Sequence, residues 1–478
     1  MALTAVLLVA ALLRLYGLGF ESLWLDETVS VRFANLGAPE IVEESKADNN
    51  FPTYYLLLHY WVALFGESEF AVRLLSAVIG ILAVYLTYAV GAQLFGRGAG
   101  VVAALLMAVS PYHVAYSQEA RVYNLMALAA LVSFYFFLRL REGETGLGVQ
   151  AGYVLSTAAL VYSHVYGLFV VIAQNSFLAT VLFTRGPRAM LPGPKRWAIL
   201  QVLLGLLFVP GVLLLIGWIT RPGNRSWIEA EAPPLSSVRA DFVEYAGSVP
   251  LLVLLLALAG LGCAALLRGE CEKLSLLLFW LLAPLALPLV ISAVSTPIFV
   301  NRYGIAATPA LLLLAARGVW AAGAMLGRSS PARSKAIASV VALLLVALSG
   351  GVLWRYFGDV DKDQWREAVG YVNREAEPGD LVVVAPDYVE RSAFAHYNAR
   401  EDLDVEGFGL KITPKALKRI GRAVGEHERV WVIVRAEEKG WPSTVKQIVA
   451  AAILLPERAY HKRYHKVDLT LYEERGRS

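Results

Sequence analysis

The chain has little cysteine and little charge. Only two cysteines, Cys263 and Cys271, occur among 478 residues, which is too few for a disulfide framework, and their spacing does not match a metal site. Asp, Glu, Lys and Arg make up 17% of the residues, against about 25% in soluble globular proteins. The net charge is +4, and no basic stretch is interleaved with aromatic residues. We therefore expect no nucleic-acid partner.

The sequence is instead rich in long apolar runs. Hydrophobic residues make up 57% of the sequence, and many lie in runs of roughly 18–25 residues, long enough to cross a bilayer as helices. Residues 2–13 have no basic residue before them and no clear cleavage site after them, so we predict a retained first helix rather than a signal peptide. About eleven transmembrane helices are predicted, at 2–20, 70–94, 98–115, 121–139, 148–164, 166–184, 197–219, 248–267, 274–293, 303–325 and 336–356.

The short loops predict the orientation in the membrane. Lys and Arg are absent from 116–120, 163–166 and 294–301, whereas they occur in every connection on the other side. Because positively charged loops stay in the cytoplasm, we predict a multi-pass protein of the cell membrane with a cytoplasmic N-terminus. An odd number of spans then places the C-terminus outside.

Two regions outside the spans have their own predicted structure. Residues 28–36 and 52–65 are amphipathic or apolar but short, and they predict two helices along the outer surface. From about residue 357 the composition is that of a soluble domain, so we predict a membrane domain over 1–356 and an extracytoplasmic α/β domain over 357–478. Its elements are predicted as helices at 364–375, 413–424 and 442–454 and strands at 380–386, 429–435 and 467–472.

Three polar clusters lie at the predicted outer ends of the helices, where ionisable groups indicate function. Asp26 and Glu27 follow the first span, and an acidic pair there could be a base or a metal ligand, or could simply favour a helix N-terminus. Glu119 and Arg121 begin the fourth span, where an interface-anchoring pair is the alternative. Arg302, within Asn301-Arg302-Tyr303, could equally extend its charge to the membrane surface.

Several single residues are further candidates for a functional role. Arg14 lies inside the first span and could reach outward, and His164 could only cap a turn. Arg225 lies in a long outer loop where a solvated role is the simpler reading, and Asp48 and Asn50 precede Pro52 in a probable turn sequence.

Acids and arginines that face one compartment suit glycosyl transfer from a phosphate carrier. The acceptor hydroxyl has a high pKa and needs a carboxylate base. The departing phosphate needs positive charge, which arginine supplies as a fixed two-pronged cation. One base without a second nucleophile predicts a single displacement, and hence inversion at the anomeric carbon.

These motifs resemble those of the GT-C glycosyltransferases of the protein O-mannosyltransferase and aminoarabinose-transferase type. The resemblance is carried, in order along the membrane region, by Leu23-Trp-Leu-Asp-Glu27, Phe51-Pro-Thr-Tyr-Tyr-Leu-Leu-Leu-His-Tyr-Trp61, Ser117-Gln-Glu-Ala-Arg-Val-Tyr123 and Asn301-Arg-Tyr303. It implies a polytopic α-helical GT-C fold, with amphipathic helices beside the membrane in the first outer loop. It also implies a polyprenyl- or dolichyl-phosphate sugar as donor and a hydroxyl on a protein, lipid or glycan as acceptor.

The resemblance also suggests residue roles. Asp26 is implied as the catalytic base, Glu119 as a second acid, and Arg121 with Arg302 and Tyr303 as ligands of the lipid phosphate. A divalent metal (Mg²⁺, Mn²⁺ or Zn²⁺) stays an open possibility. The full predicted site comprises catalytic Asp26, Glu27 and Glu119; phosphate-binding Arg121, Arg302, Tyr303, Arg14 and Arg225; an acceptor or substrate pocket of Asp48, Asn50, Tyr54, Tyr55, His59, Tyr123 and His164; and, for any metal, Asp26, Asp48 and His164.

Two other functions fit a protein of this kind. A transporter or flippase would place charges near the bilayer midplane, usually with an internal repeat. The sequence has no evident repeat, and its charges lie at the outer edge. An accessory subunit without activity would be favoured if the acids were missing, but they are present.

Overall fold

The computed structural model describes residues 1–220, 242–295, 297–327, 330–409, 414–436 and 457–473. They divide into two compact units. The first unit comprises Met1–Tyr16, Gly37–Leu64 and Val72–Phe357, and the second comprises Gly17–Leu36, Phe65–Ala71 and Gly358–Ser478. The change at residue 357 coincides with the predicted domain boundary. The two short segments that the second unit takes from the first outer loop were not predicted.

The membrane-spanning part is helical, as it must be where lipid leaves backbone groups no other partner. Its helices, with those of the first outer loop, are α1 (Ala2–Leu15), α2 (Leu25–Ala34), α3 (Ala38–Asp48), α4 (Thr53–Phe65), α5 (Glu69–Phe95), α6 (Arg97–Val109), α7 (Pro111–Ser117), α8 (Tyr123–Arg141), α9 (Leu147–Ser163), α10 (Gly167–Arg185), α11 (Pro194–Thr220), α12 (Val249–Leu267), α13 (Cys271–Val294), α14 (Thr308–Gly327) and α15 (Pro331–Gly358). A 3₁₀ helix, Asn301–Ala307, leads into α14.

Each predicted span overlaps one of these helices, or two that follow each other closely. Among the described residues, eight helices are long and apolar enough to cross a membrane, or nine if the bent pair α6 and α7 forms one span. The pair bends by 60° because Ser110 takes an extended conformation and caps α7, whose first residue is Pro111. The first helix ends at Leu15 rather than at residue 20. The count of eleven spans stays a prediction.

The first outer loop contains three helices rather than the two predicted. The additional one is α3, which begins at Ala38-Pro39, with the Gly37 N–H donating to the Glu40 carboxylate at 3.0 Å. It ends at Asn49, whose φ of 59° lies in the left-handed region. Because α3 is strongly polar, its sequence alone resembled a turn-rich loop.

Glycines set the closest helix packing of the first unit. A Cβ added to Gly318 of α14 would lie 1.8 Å from the Leu258 carbonyl oxygen of α12, and one added to Gly262 would lie 2.2 Å from that of Leu314. Only residues without a side chain permit this approach, which is typical of helix pairs in membranes.

The second unit contains a mixed five-stranded sheet. Its strands are β1 (Leu381–Ala385), β2 (Asp404–Gly407), β3 (Arg429–Arg435), β4 (Glu457–Tyr464) and β5 (Val467–Glu473). Their order is β2-β1-β3-β5-β4, with β2, β1 and β3 parallel and the β3–β5 and β4–β5 pairs antiparallel. Helix α16 (Trp365–Glu375) packs on one face, and helix α17 (Pro414–Gly425) packs on the other.

The central strands bury side chains on both faces, because helices cover both sides. Val382 and Val384 pack toward Trp365 and the α16 side, whereas Leu381 and Val383 pack toward Ile420 on α17. The predicted helices at 364–375 and 413–424 and all three predicted strands occur here. Strands β2 and β4 were not predicted, and the predicted helix at 442–454 lies outside the described residues.

Candidate functional site

Two of the predicted phosphate-binding arginines lie beside one tyrosine ring. Arg121 precedes α8, whose first residue is Tyr123, and Arg302 lies in the 3₁₀ helix. The guanidinium carbons of both arginines are 5.9 Å from the centre of the Tyr123 ring. Residues 181 positions apart in the sequence therefore supply two cations to one place. Arginine is suited to binding phosphate because its planar guanidinium matches the geometry of the phosphate oxygens.

Aromatic rings surround this pair of arginines. Tyr303 lies 4.2 Å from His164 between ring centres and 5.2 Å from Tyr166, and the Arg302 guanidinium carbon lies 5.6 Å from the Tyr303 ring. The Tyr166 hydroxyl donates to the Ile298 carbonyl at 2.6 Å. Rings of this kind exclude water and strengthen electrostatic attraction nearby.

His164 is a neutral member of the cluster. It ends α9 and is buried. Its Nδ1 accepts the Tyr166 N–H at 3.2 Å, so the neutral ring carries its proton on Nε2. It can therefore donate one hydrogen bond without adding charge.

A hydrogen-bonded chain joins Arg121 to the first outer loop. Arg121 Nη1 donates to the Tyr55 hydroxyl at 3.5 Å, and that hydroxyl donates to Asp48 Oδ2 at 3.2 Å. Asn50 Nδ2 donates to the same carboxylate oxygen at 3.0 Å. The predicted pocket residues Asp48 and Asn50 thus connect to Arg121 through the Tyr55 hydroxyl.

The 3₁₀ helix that bears Arg302 is held at its first residue. Tyr112 and Tyr245 donate to the Asn301 carbonyl at 3.1 and 2.9 Å, and Asn301 Nδ2 donates to the Glu244 carboxylate. A Cβ on Gly304 would lie 2.1 Å from the Tyr245 hydroxyl, so this position also depends on glycine. Glu244 and the two tyrosines were not singled out from the sequence. In the sequence, only the four-residue spacing of Tyr112 and Tyr116 indicated that their rings share one face of a helix.

Arg14 and Gln118 bind backbone carbonyls at helix ends. Arg14 is fully buried and donates to the carbonyls of Ala10, Met107 and Ala108 at 3.0–3.3 Å, which satisfies the C-terminus of α6. The Gln118 amide donates to three carbonyls at the end of α1, the shortest bond being 2.7 Å to Tyr16. The guanidinium of Arg14 is thus engaged in structure rather than directed at the surface.

The other predicted residues of the first unit have separate contacts. Glu119 is half-buried, and its carbonyl accepts the Arg121 N–H at 2.8 Å. The Tyr54 hydroxyl bonds Ser76 at 2.8 Å. His59 packs against Tyr60, with ring centres 5.0 Å apart. Arg225 lies outside the described residues.

Asp26 and Glu27 belong to the second unit, in the first turn of α2. Asp26 is half-buried, whereas Glu27 is fully buried. Glu27 accepts the Trp24 N–H at 3.3 Å and pairs with Lys362 at 3.3 Å. The two adjacent acids therefore have different surroundings, which their sequence did not distinguish.

No metal-binding set is present among the residues that the structure describes. In these ranges no three His, Cys, Asp or Glu side chains group closely enough to hold an ion. The divalent metal that the sequence left open stays a prediction.

Comparison with known proteins agrees with the fold. Residues 49–214 match the family "Dolichyl-phosphate-mannose-protein mannosyltransferase". No curated protein sequence matches the chain. ArnT from Cupriavidus metallidurans in the apo state is similar in structure, with a TM-score of 0.64 and 14% identity over 98% of this chain and 97% of that one.

Two further solved structures share the fold. ArnT from the same organism bound to undecaprenyl phosphate gives a TM-score of 0.59 at 14% identity, covering 98% of this chain and 97% of that one. AglB, an archaeal oligosaccharyltransferase from Archaeoglobus fulgidus in complex with an inhibitory peptide and a dolichol-phosphate, gives 0.59 at 12% identity, covering 95% and 71%. These similarities in structure confirm the predicted GT-C fold.

Proposed function

We propose that this protein is an inverting glycosyltransferase that moves a sugar from a polyprenyl- or dolichyl-phosphate carrier to a hydroxyl acceptor at the outer face of the membrane. The observation that carries the proposal is the pair of guanidinium groups of Arg121 and Arg302 beside Tyr123. The relatives support it, because one similar structure holds undecaprenyl phosphate and another holds a dolichol-phosphate.

In the proposed reaction the acceptor oxygen attacks the anomeric carbon of the carrier-bound sugar. The bond from that carbon to the phosphate oxygen breaks, and its electron pair stays on the lipid phosphate. Arg121 and Arg302 stabilise the charge that develops there. Asp26 takes the proton of the acceptor hydroxyl. A single displacement inverts the configuration of the anomeric carbon.

His164 and Tyr55 support the phosphate site in this proposal. Neutral His164 can donate its Nε2 proton to an oxygen without competing with the arginines for negative charge. Tyr55 accepts from Arg121 and donates to Asp48, which limits the directions that the guanidinium can take. Arg14 is left out of the phosphate ligands, because three backbone carbonyls already engage it.

The test is transfer by the purified protein in lipid nanodiscs, with a panel of polyprenyl-phosphate sugars as donors. Asp26→Asn keeps the shape and removes the base, so we expect turnover to fall roughly a hundredfold or more. The same substitution at exposed Asp359 is the matched control. Transfer at the wild-type rate by Asp26→Asn would reject the base, and a product of retained configuration would reject the single displacement.

A further inference from the structure

The first turn of helix α2 packs into the second unit, where Leu25 and Glu27 are buried. Successive residues of a helix point about 100° apart, so Asp26 and Glu27 cannot face the same way. Glu27 has no exposed surface, whereas Asp26 retains part of its own. The buried acid thus anchors the helix turn that carries the half-buried one.

A buried carboxylate needs a partner, and Lys362 provides it. Lys362 Nζ lies 3.3 Å from Glu27 Oε2, and the side chains are 9% and 0% exposed. Removal of one member of such a pair leaves an uncompensated buried charge, which is strongly unfavourable. The orientation of Glu27 therefore depends on a residue 335 positions later in the chain.

Lys362 is itself held beside the residues that precede α2. The backbone N–H groups of Asp361 and Lys362 donate to Glu21 Oε1 at 2.8 and 3.2 Å. The Ser22 hydroxyl donates to the Asp363 carbonyl. The two chain segments are thus tied at three points, so the lysine has little freedom to move away from Glu27.

Tyr397 fixes the backbone at Leu23, three residues before Asp26. The Leu23 N–H donates to the Tyr397 hydroxyl at 2.7 Å, and this hydroxyl donates to Glu69 at 3.2 Å. Leu25 is buried in the hydrophobic core that contains Trp365. Both neighbours of Asp26 along the chain, and the residue three before it, are therefore packed against the C-terminal domain.

We infer that Lys362 and Tyr397 are positioning residues for Asp26, acting through Glu27 and Leu23, and that the C-terminal α/β domain is in this way part of the catalytic apparatus. The inference rests on the proposed function, in which Asp26 is the base. It assigns the domain a role in positioning the acid, because its contacts fix the backbone on either side of Asp26.

Lys362→Met tests the ion pair, since it keeps most of the side chain and removes the charge. We expect kcat to fall roughly ten- to hundredfold, as small misplacements of a catalytic group do, with donor KM changed less than twofold. Lys362→Arg should restore most of the turnover because it keeps the cation. Lys462→Met, at an exposed position of β4, is the matched control and should behave as wild type.

Hydrogen–deuterium exchange of the amides of 25–30 supplies a second readout, which should rise in Lys362→Met and return in Lys362→Arg. Should Lys362→Met fail to fold, Tyr397→Phe decides the matter, with the same split between kcat and KM expected. Wild-type kcat per folded molecule in both variants would overturn the inference.

The two proposals fail in different ways. If Asp26→Asn is inactive while Lys362→Met and Tyr397→Phe turn over normally, the base stands and the positioning role is wrong. If Asp26→Asn turns over normally, Asp26 is not the base and the positioning role is wrong, whereas the transferase function itself stands.

Discussion

Arg302 and Arg121 show how far a residue's role depends on what shares its surroundings. Each could have been a membrane-surface anchor when judged alone. Their common neighbour Tyr123 makes them a pair, with two guanidinium groups beside one buried ring. The phosphate that departs in the proposed reaction would offset their charge.

Arg302→Ala should therefore weaken use of the donor. Because one fixed cation is lost from the departing phosphate, we expect kcat/KM for the lipid-phosphate sugar to fall roughly a hundredfold or more. The kcat/KM of Arg302→Lys should lie between those of the wild type and Arg302→Ala, because lysine keeps the charge but not the planar guanidinium. The measurement is initial rate against donor concentration, with exposed Arg188→Ala as the control. Unchanged donor kinetics in Arg302→Ala would contradict a phosphate role.

At the scale of elements, helices α12 and α14 depend on a close approach that a single methyl group would prevent. Gly318→Ala places a Cβ where the Leu258 carbonyl oxygen now lies. We expect a loss of roughly 1–3 kcal/mol, as for other overpacked interfaces. Gly260→Ala on α12 has nothing within 4 Å of the new Cβ and should be neutral or slightly stabilising. Thermal stability in detergent distinguishes them, and similar midpoints for both variants would argue against this packing.

Elements with a strong local pattern could be predicted, and those fixed by distant partners could not. The long apolar runs and the buried strand β1 can be recognised from the sequence alone. Strand β2 is short and polar, and β4 carries charges along its length, so neither has the alternation typical of a strand. The buried state of Glu27 depends on Lys362, and the place of Arg302 depends on Glu244. No local pattern reports such pairings.

At the scale of the molecule, the ends of several helices meet where the sequence predicted cytoplasmic loops. Arg141 and Arg185, which follow different spans, both pair with Glu272, and Lys273 donates to the Leu94 carbonyl at 2.7 Å. These residues line a cavity of about 390 Å³, as does Cys271. The loops that we predict to be cytoplasmic from their Lys and Arg residues therefore lie close together in the first unit.

Exposed Cys271 can report which side of the membrane this end faces. In a Cys263→Ala background, we expect a membrane-impermeant maleimide to label Cys271 in inverted vesicles and not in right-side-out vesicles, because positive loops stay inside. Lys462→Cys in a background without Cys271 should give the opposite result. Labelling of Cys271 from outside would reverse the proposed orientation.

The division of the chain has a consequence for recombination between homologous proteins. The second unit draws on 17–36 and 65–71 as well as on the residues after 357, and Leu25 contributes to its core. A chimera spliced at 357 alone would join a foreign sheet to a native α2, with mismatched side chains around Leu25 and Glu27. Grafts that exchange all three segments together should yield folded hybrids more often than grafts of the C-terminal domain by itself.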